Sequence, residues 1–215
     1  MTDAYSRTPR TTVKRRANRA TYDRAQVHAI LDEALIGSLA TIIDGEPVVQ
    51  PMIHARDGEE IILHGSAKNR MLGALEGGAR ACLSVTLLDG LVLGRSVPDH
   101  TFQYRSVAVH GLTRTVTDPA EKRERMRRVF SHIIARRWET LPPVDDDYLA
   151  TVKVLILPLE ECVAKVNVAL PHEAPGDAVW SGLLPLALTA GAPTPMAGPQ
   201  PPLPTELSGY DRRKR

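Results

Sequence analysis

The stretch SLATIIDGEPVVQPMIHARDGEEIILHGSAKNRML, residues 38–72, decides the architecture. It divides into three strand-like runs, over 38–43, 47–56 and 60–65. Asp44-Gly45 and Asp57-Gly58 separate them, and such pairs supply the left-handed backbone that reverses a hairpin. The third run leaves through Gly65 into a short helix over 69–75, which Gly77-Gly78 ends. Three strands joined by tight turns form an antiparallel meander, because a parallel pairing needs a crossover of a dozen or more residues.

Working outward, the segment before the meander predicts a helix over 23–35. Asp23 and Gln26 have capping-box spacing, and Tyr22 with Val27 make a hydrophobic staple. Val27, Ile30, Leu31, Ala34 and Leu35 share one face, and Gly37 reads as the stop. Beyond the meander, strands are expected over 81–88, 103–116, 151–157 and 161–166. In the second of these Val107, Val109 and Leu112 alternate around an irregularity near Gly111. A further helix starts at Asp118, with Pro119 in the first position and Glu121 completing the cap. Met126, Val129, Phe130, Ile133 and Ile134 line its buried face. Six or so antiparallel strands with two longer helices give a mainly β fold, a small barrel with helical additions.

The chain divides into a basic arm over 1–18, one domain over 19–188, and a proline-rich tail over 189–215. Nine of the seventeen prolines lie between positions 171 and 204, which excludes a regular helix or a central strand there. Up to about Leu188, Val179, Trp180, Leu183 and Leu184 still offer packing surface, and the rest reads as extended or disordered.

The formal charge of +2 is unevenly spread. Arg7, Arg10, Lys14, Arg15, Arg16, Arg19 and Arg24 crowd the start, and Arg212-Arg213-Lys214-Arg215 close the chain. No aromatic residues interleave with them as single-strand binding requires, so both ends read as solvated and nucleic acid is not expected. The basic residues Arg123, Arg127, Arg128 and Arg136 of the second long helix read the same way. Cys82 and Cys162 sit in apolar runs outside any CxxC pair, which suits small buried hydrophobes in a reducing compartment. With no signal-peptide core and no run near the roughly 18 apolar residues of a membrane span, the expected location is cytoplasmic.

The densest chemistry lies in HGSAKNRML, residues 64–72. Hydroxyl, amide, ammonium and guanidinium donors follow a strand and enter a helix, where free N–H groups and the positive dipole end favour a phosphate. Arg70 can grip two oxygens, whereas Lys68 acts as a point charge. An ordinary polar strand-to-helix turn fits the same spacing. His54, His64, His100 and His110 lack HExxH spacing, so no metal site is expected, and GxSxG, Walker and GxGxxG patterns are absent.

In order and at family-like spacing, several motifs carry a resemblance. They are Arg19-Ala20-Thr21-Tyr22-Asp23-Arg24, Ile30-Leu31-Asp32-Glu33, Asp44-Gly45-Glu46-Pro47-Val48-Val49 and the 64–72 run. Val85-Thr86-Leu87-Leu88-Asp89-Gly90-Leu91-Val92-Leu93, Tyr104-Arg105-Ser106-Val107 and Trp180-Ser181-Gly182-Leu183-Leu184-Pro185-Leu186 complete the set. The chain resembles the pyridoxamine-phosphate-oxidase-related flavoproteins, in the branch of nitroimidazole-resistance-type proteins. The resemblance implies a six-stranded antiparallel split β-barrel, a homodimer, and FMN at the subunit interface. It places Val49, Gln50, Pro51 and Met52 along the isoalloxazine edge. His64, Gly65, Ser66, Lys68, Asn69 and Arg70 would hold the ribityl phosphate, and Tyr104, Arg105 and Ser106 would approach from the interface. Asn69 stands where a serine is usual, and Asn167 where an arginine is common. Trp180 either packs near the flavin or anchors the tail. No catalytic acid or base is assigned; His100 and Tyr104 are the best donors near the expected cleft, as well as a plausible turn histidine and interface tyrosine.

Three functions follow. One is an FMN-dependent oxidoreductase acting on a small acceptor, nitroaromatic or quinone-like by analogy. The others are a non-catalytic flavin carrier or sensor, and a split-barrel binder of haem or a deazaflavin.

Overall fold

The computed structural model describes residues 3–170, 179–207, 210 and 211. Its elements are β1 (Ala20–Thr21), α1 (Arg24–Glu33), β2 (Ile36–Ile43), β3 (Glu46–Asp57), β4 (Glu60–Ser66), α2 (Arg70–Glu76) and β5 (Ala81–Leu93). They continue with β6 (Thr101–Gly111), β7 (Arg114–Thr115), α3 (Pro119–Ile133), α4 (Asp146–Thr151), β8 (Val152–Pro158), β9 (Cys162–Asn167) and β10 (Gly182–Pro185).

Each helix begins where a side chain satisfies an amide that the helix itself cannot. Asp23 accepts from Gln26 N at 2.8 Å, Asn69 from Leu72 N at 3.0 Å, and Asp118 from Glu121 N at 2.7 Å. Such caps contribute about 1 kcal/mol each. α1 ends at Glu33, before Gly37, so that glycine is not its stop. Gly37 lies inside β2, and a Cβ there would stand 2.7 Å from Leu83 Cδ1 and 3.0 Å from Val85 Cγ1. Its function is to let β5 approach.

The strands form one antiparallel sheet in the order β1-β9-β6-β5-β2-β3-β4-β8-β7, with β10 added to β5. The sheet is open and curled, as a split barrel requires, and the three-strand meander lies at its centre. The irregularity expected near Gly111 is a change of partner. β6 pairs with β5 and β9, whereas β7 pairs with β8. One core gathers Ile30, Leu31, Leu39, Leu63, Leu72 and Leu83 between α1, α2 and the sheet. A second, with Ile62, Met126, Val129, Val154 and Ile156, seats α3 on β4 and β8. Among the described residues no helix is long and apolar enough to cross a membrane.

The N-terminal segment differs from a solvated arm. Tyr5 and Thr11 are buried, Tyr5 N donates to Tyr22 O at 2.8 Å, and Tyr22 OH donates to Thr11 O at 2.7 Å. Arg10 pairs with Glu161 at 2.9 Å, and the Arg24 guanidinium lies 4.3 Å from the Tyr5 ring centroid. Of the tail, Tyr210 OH donates to Ile133 O at 2.7 Å. The closing basic run at 212–215 lies outside the described residues.

Candidate functional site

The sheet opens between β3 and β4. From Glu46 to Ile53, β3 bonds to β2, and only His54–Asp57 bonds to β4. β4 meanwhile runs on to Ser66 against β8. Val49, Gln50, Pro51 and Met52 therefore present one backbone edge to a gap, with His64, Gly65 and Ser66 on its far side. An unpaired strand edge offers amides and carbonyls in a fixed row, which suits the in-plane pairing of a heterocycle. A side-chain bond spans the gap near its closed end: Asn69 Nδ2 donates to Gln50 Oε1 at 3.3 Å. Asn69 thus both caps α2 and clasps β3, two tasks that a serine in its place could not combine.

His64 is the most telling member. Its Nδ1 is buried and without a hydrogen-bond partner among the described residues, and burial pushes its pKa below the ordinary 6.5. It is a neutral imidazole with an unused polar atom at the gap. At Gly65 a Cβ would meet Leu72 Cδ1 at 3.0 Å, so the bare backbone keeps the strand-to-helix turn tight. Ser66 Oγ accepts from Lys68 N at 3.2 Å. Lys68 is exposed and makes no ion pair among the described residues. Arg70 reaches Asp44, at the tip of the β2–β3 hairpin, at 2.8 Å. The sequence reading treats Asp44 as a turn residue only. These contacts bring Val49 to Met52 and His64 to Arg70 together as expected.

The third group is elsewhere. β6 is separated from β3 by β5 and β2. Tyr104 and Ser106 lie on the outward face of the sheet, and Ser106 Oγ donates to Lys165 O at 3.2 Å. Arg105 points to the opposite face, held by two bonds to Asp89 (2.9 and 2.7 Å) and two to Glu33 (2.5 and 3.0 Å). Those bonds raise its pKa and leave the guanidinium committed to structure. Its alternation in phase with Val107 and Val109 is the signal that gives its face. His100 Nδ1 lies 2.9 Å from Ser96 O, as in the turn-histidine alternative. Trp180 is 67% exposed, its ring 2.7 Å from where a Gly182 Cβ would be.

Among the described residues no three His, Cys, Asp or Glu side chains are grouped to hold a metal ion. Two surface hollows, of about 600 and 650 Å³, lie where the tail crosses α1 and β5 and where it crosses the end of α3.

Comparison with known proteins bears on the fold and the family. No curated protein sequence matches the chain. The flavocytochrome Anf3 from Azotobacter vinelandii is 32% identical over 92% of this chain and 93% of its own, with a TM-score of 0.85. The FAD and heme binding protein from Mycobacterium smegmatis is 30% identical over 89% and 96%, with a TM-score of 0.84. A 5-nitroimidazole antibiotic resistance protein of Bacteroides thetaiotaomicron shares the fold at 19% identity, over 76% and 87%, with a TM-score of 0.57. The sequence profile described as Pyridoxamine 5'-phosphate oxidase matches residues 23–166, and the chain belongs to that family.

Proposed function

We propose that this protein is a flavin-dependent electron-transfer protein acting on a small acceptor, with the flavin held in the gap between β3 and β4. The observation that carries the reading is the divided ladder, which leaves the edge of Val49 to Met52 free on one side of the gap while β4, on the other side, carries His64 with its unpartnered Nδ1. A flavin fits both sides: its ring carries donors and acceptors in one plane, and its phosphate suits Ser66, Lys68, Asn69 and Arg70. When bound, the flavin supplies hydride or single-electron chemistry, and the protein supplies orientation and electrostatics. His64, neutral at pH 7, accepts or donates a hydrogen bond there without adding charge.

FMN is the flavin expected from the sequence, and either FMN or FAD fits a phosphate cradle. The relative 30% identical over nearly the whole chain, named for FAD and heme, favours FAD and favours haem as a companion. If haem rather than flavin occupied the gap, neutral His64 would have the chemistry to hold its iron.

The protein acts as a homodimer. Tyr104 and Ser106 cannot reach the gap of their own chain, but a second copy packed on the outward face brings them to it. That face bears Ile36, Ile42 and Val49, each more than half exposed. Paired charges on α3, such as Arg123 with Asp146 and Arg127 with Glu124, support the absence of a nucleic-acid partner. Free Cys82 and Cys162 suit the reducing cytoplasm.

The test is to purify the protein, identify the released cofactors and follow reduction by NADH or NADPH. Expected are a flavin absorbance that bleaches on reduction and returns with a quinone or nitroaromatic acceptor. A colourless protein that takes up neither FMN nor FAD would sink the proposal.

A further inference from the structure

The Arg70–Asp44 pair points beyond flavin binding to a choice between flavins. This inference rests on the flavin reading, because Arg70 is one of the groups assigned to the phosphate. We propose that Asp44 is a specificity-determining residue, a built-in carboxylate that competes with the ligand phosphate for Arg70 and biases the gap toward a flavin dinucleotide, whose diphosphate carries one charge on each phosphate.

Asp44 occupies the first turn position of the β2–β3 hairpin with φ of 56°, followed by Gly45 at 82°. The left-handed turn fixes the backbone at this tip, so the carboxylate stays within side-chain reach of Arg70. Arg70 lies across the gap at the start of α2, and its Nη2 is 2.8 Å from Asp44 Oδ2. Both side chains are largely exposed, at 70% and 83%. Exposed pairs of this kind contribute about 0–1 kcal/mol and exchange partners readily. An incoming phosphate must therefore displace Asp44 from Arg70 or share the guanidinium with it.

The cost of that competition depends on phosphate charge. A phosphomonoester such as FMN carries about −1.5 to −2 at pH 7, concentrated on one group. A dinucleotide diphosphate such as FAD carries one negative charge on each phosphate. Arg70 alone would favour the more highly charged monoester. Arg70 paired with Asp44 is locally neutral, so that advantage disappears and the repulsion from Asp44 falls hardest on the dianion. Lys68 remains to attract either ligand. The carboxylate thus lowers affinity for the mononucleotide more than for the dinucleotide.

The test is a set of equilibrium titrations of deflavinated protein with FMN, FAD and riboflavin, followed by flavin fluorescence. The variants are Asp44→Asn, Arg70→Ala and the double variant. Asparagine tolerates left-handed backbone, so Asp44→Asn keeps the turn, and a thermal melt checks the fold. Asp44→Asn is expected to tighten FMN by about three- to fivefold. FAD should tighten by less, riboflavin should be unchanged, and most of the FMN gain should vanish in the Arg70→Ala background. If wild type binds FMN and FAD but Asp44→Asn leaves their ratio unchanged, this inference is overturned and the flavin reading stands. If wild type binds none of the three flavins, both fall.

Discussion

At the scale of single residues, the two arginines of the predicted site have opposite fates. Arg105 is clamped by Glu33 and Asp89 through four short bonds, on side chains only 29%, 21% and 32% exposed. Removing it leaves two carboxylates facing each other in a half-dry site. Arg105→Ala should cost about 2 kcal/mol, measured by urea denaturation, with flavin affinity in the surviving folded protein changed little. Arg105→Lys should recover less than half, because one ammonium cannot make both planar, two-bond contacts. A variant as stable as wild type would show that the cluster is decorative. Arg70, in contrast, is free to exchange partners. Arg70→Ala should leave stability within about 0.5 kcal/mol and weaken phosphorylated flavins about tenfold. Equal affinity for FMN in that variant would show the phosphate to be misplaced. The motif at 64–72 singles out Arg70 as a candidate because the strand-to-helix turn that positions it is local. Arg105 is misread because its acidic partners lie 72 and 16 residues away, where only the alternation with Val107 and Val109 hints at its face.

At the scale of elements, what is legible follows the same rule of distance. Helix starts depend on three or four neighbouring residues, and Asp23, Asn69 and Asp118 mark them. The hairpins of the meander depend on two-residue turns. β10 escapes notice because it is a four-residue strand ended by Pro185, meaningful only beside Leu91 to Leu93. The N-terminal segment is misjudged because its partners are remote: Tyr5 OH donates to Glu59 at 2.8 Å and lies 2.8 Å from His28 Nε2. This latch should be acid-sensitive, and in two steps. Burial, then the nearby Arg56, hold His28 below its ordinary 6.5. The unfolded chain therefore takes up a proton first, and stability falls as pH drops from about 6.5 through the lower folded pKa. Glu59 is raised by burial, but bonds from Tyr5 and Arg24 outweigh this and hold it below 4.5. Its contribution is present above 4.5 and is lost as pH falls through the depressed value. Hydrogen-exchange protection of the Tyr5 amide, relative to core amides, should drop between pH 7 and 5 and drop again toward pH 4. His28→Gln should remove the first step and keep the second. Protection that holds level across this range would show that the latch does not depend on these two groups.

At the scale of the whole molecule, the proposed homodimer makes a demand on the outward face of the sheet. Across the outward face, Val163, Ala108, Ser84, Ser38 and Pro51 lie in one cross-strand row. The next row runs through His110, Cys82, Ala40 and Val49. Small side chains at Ala108, Ser84, Ser38, Cys82 and Ala40 keep the middle of this surface low, and Ile36 and Ile53, paired across β2 and β3, make one end of it apolar. A flat apolar sheet face left in water is the kind of surface that a partner covers. A second copy, as proposed, is the partner that would also return Tyr104 and Ser106 to the gap. Ala40 lies near the middle of this face, half-buried and with no role in either core. Ala40→Arg should therefore fold with near-native melting behaviour. Across the two-fold it would bury an unpaired charge in each copy, at about 3 kcal/mol or more. That weakens dimerisation at least about a hundredfold, which sedimentation at micromolar concentration will detect as monomers. Flavin affinity should fall with the dimer and recover as protein concentration is raised. Monomers that keep full flavin affinity would mean that one chain completes the gap by itself, and the role assigned to Tyr104 and Ser106 would have to be abandoned.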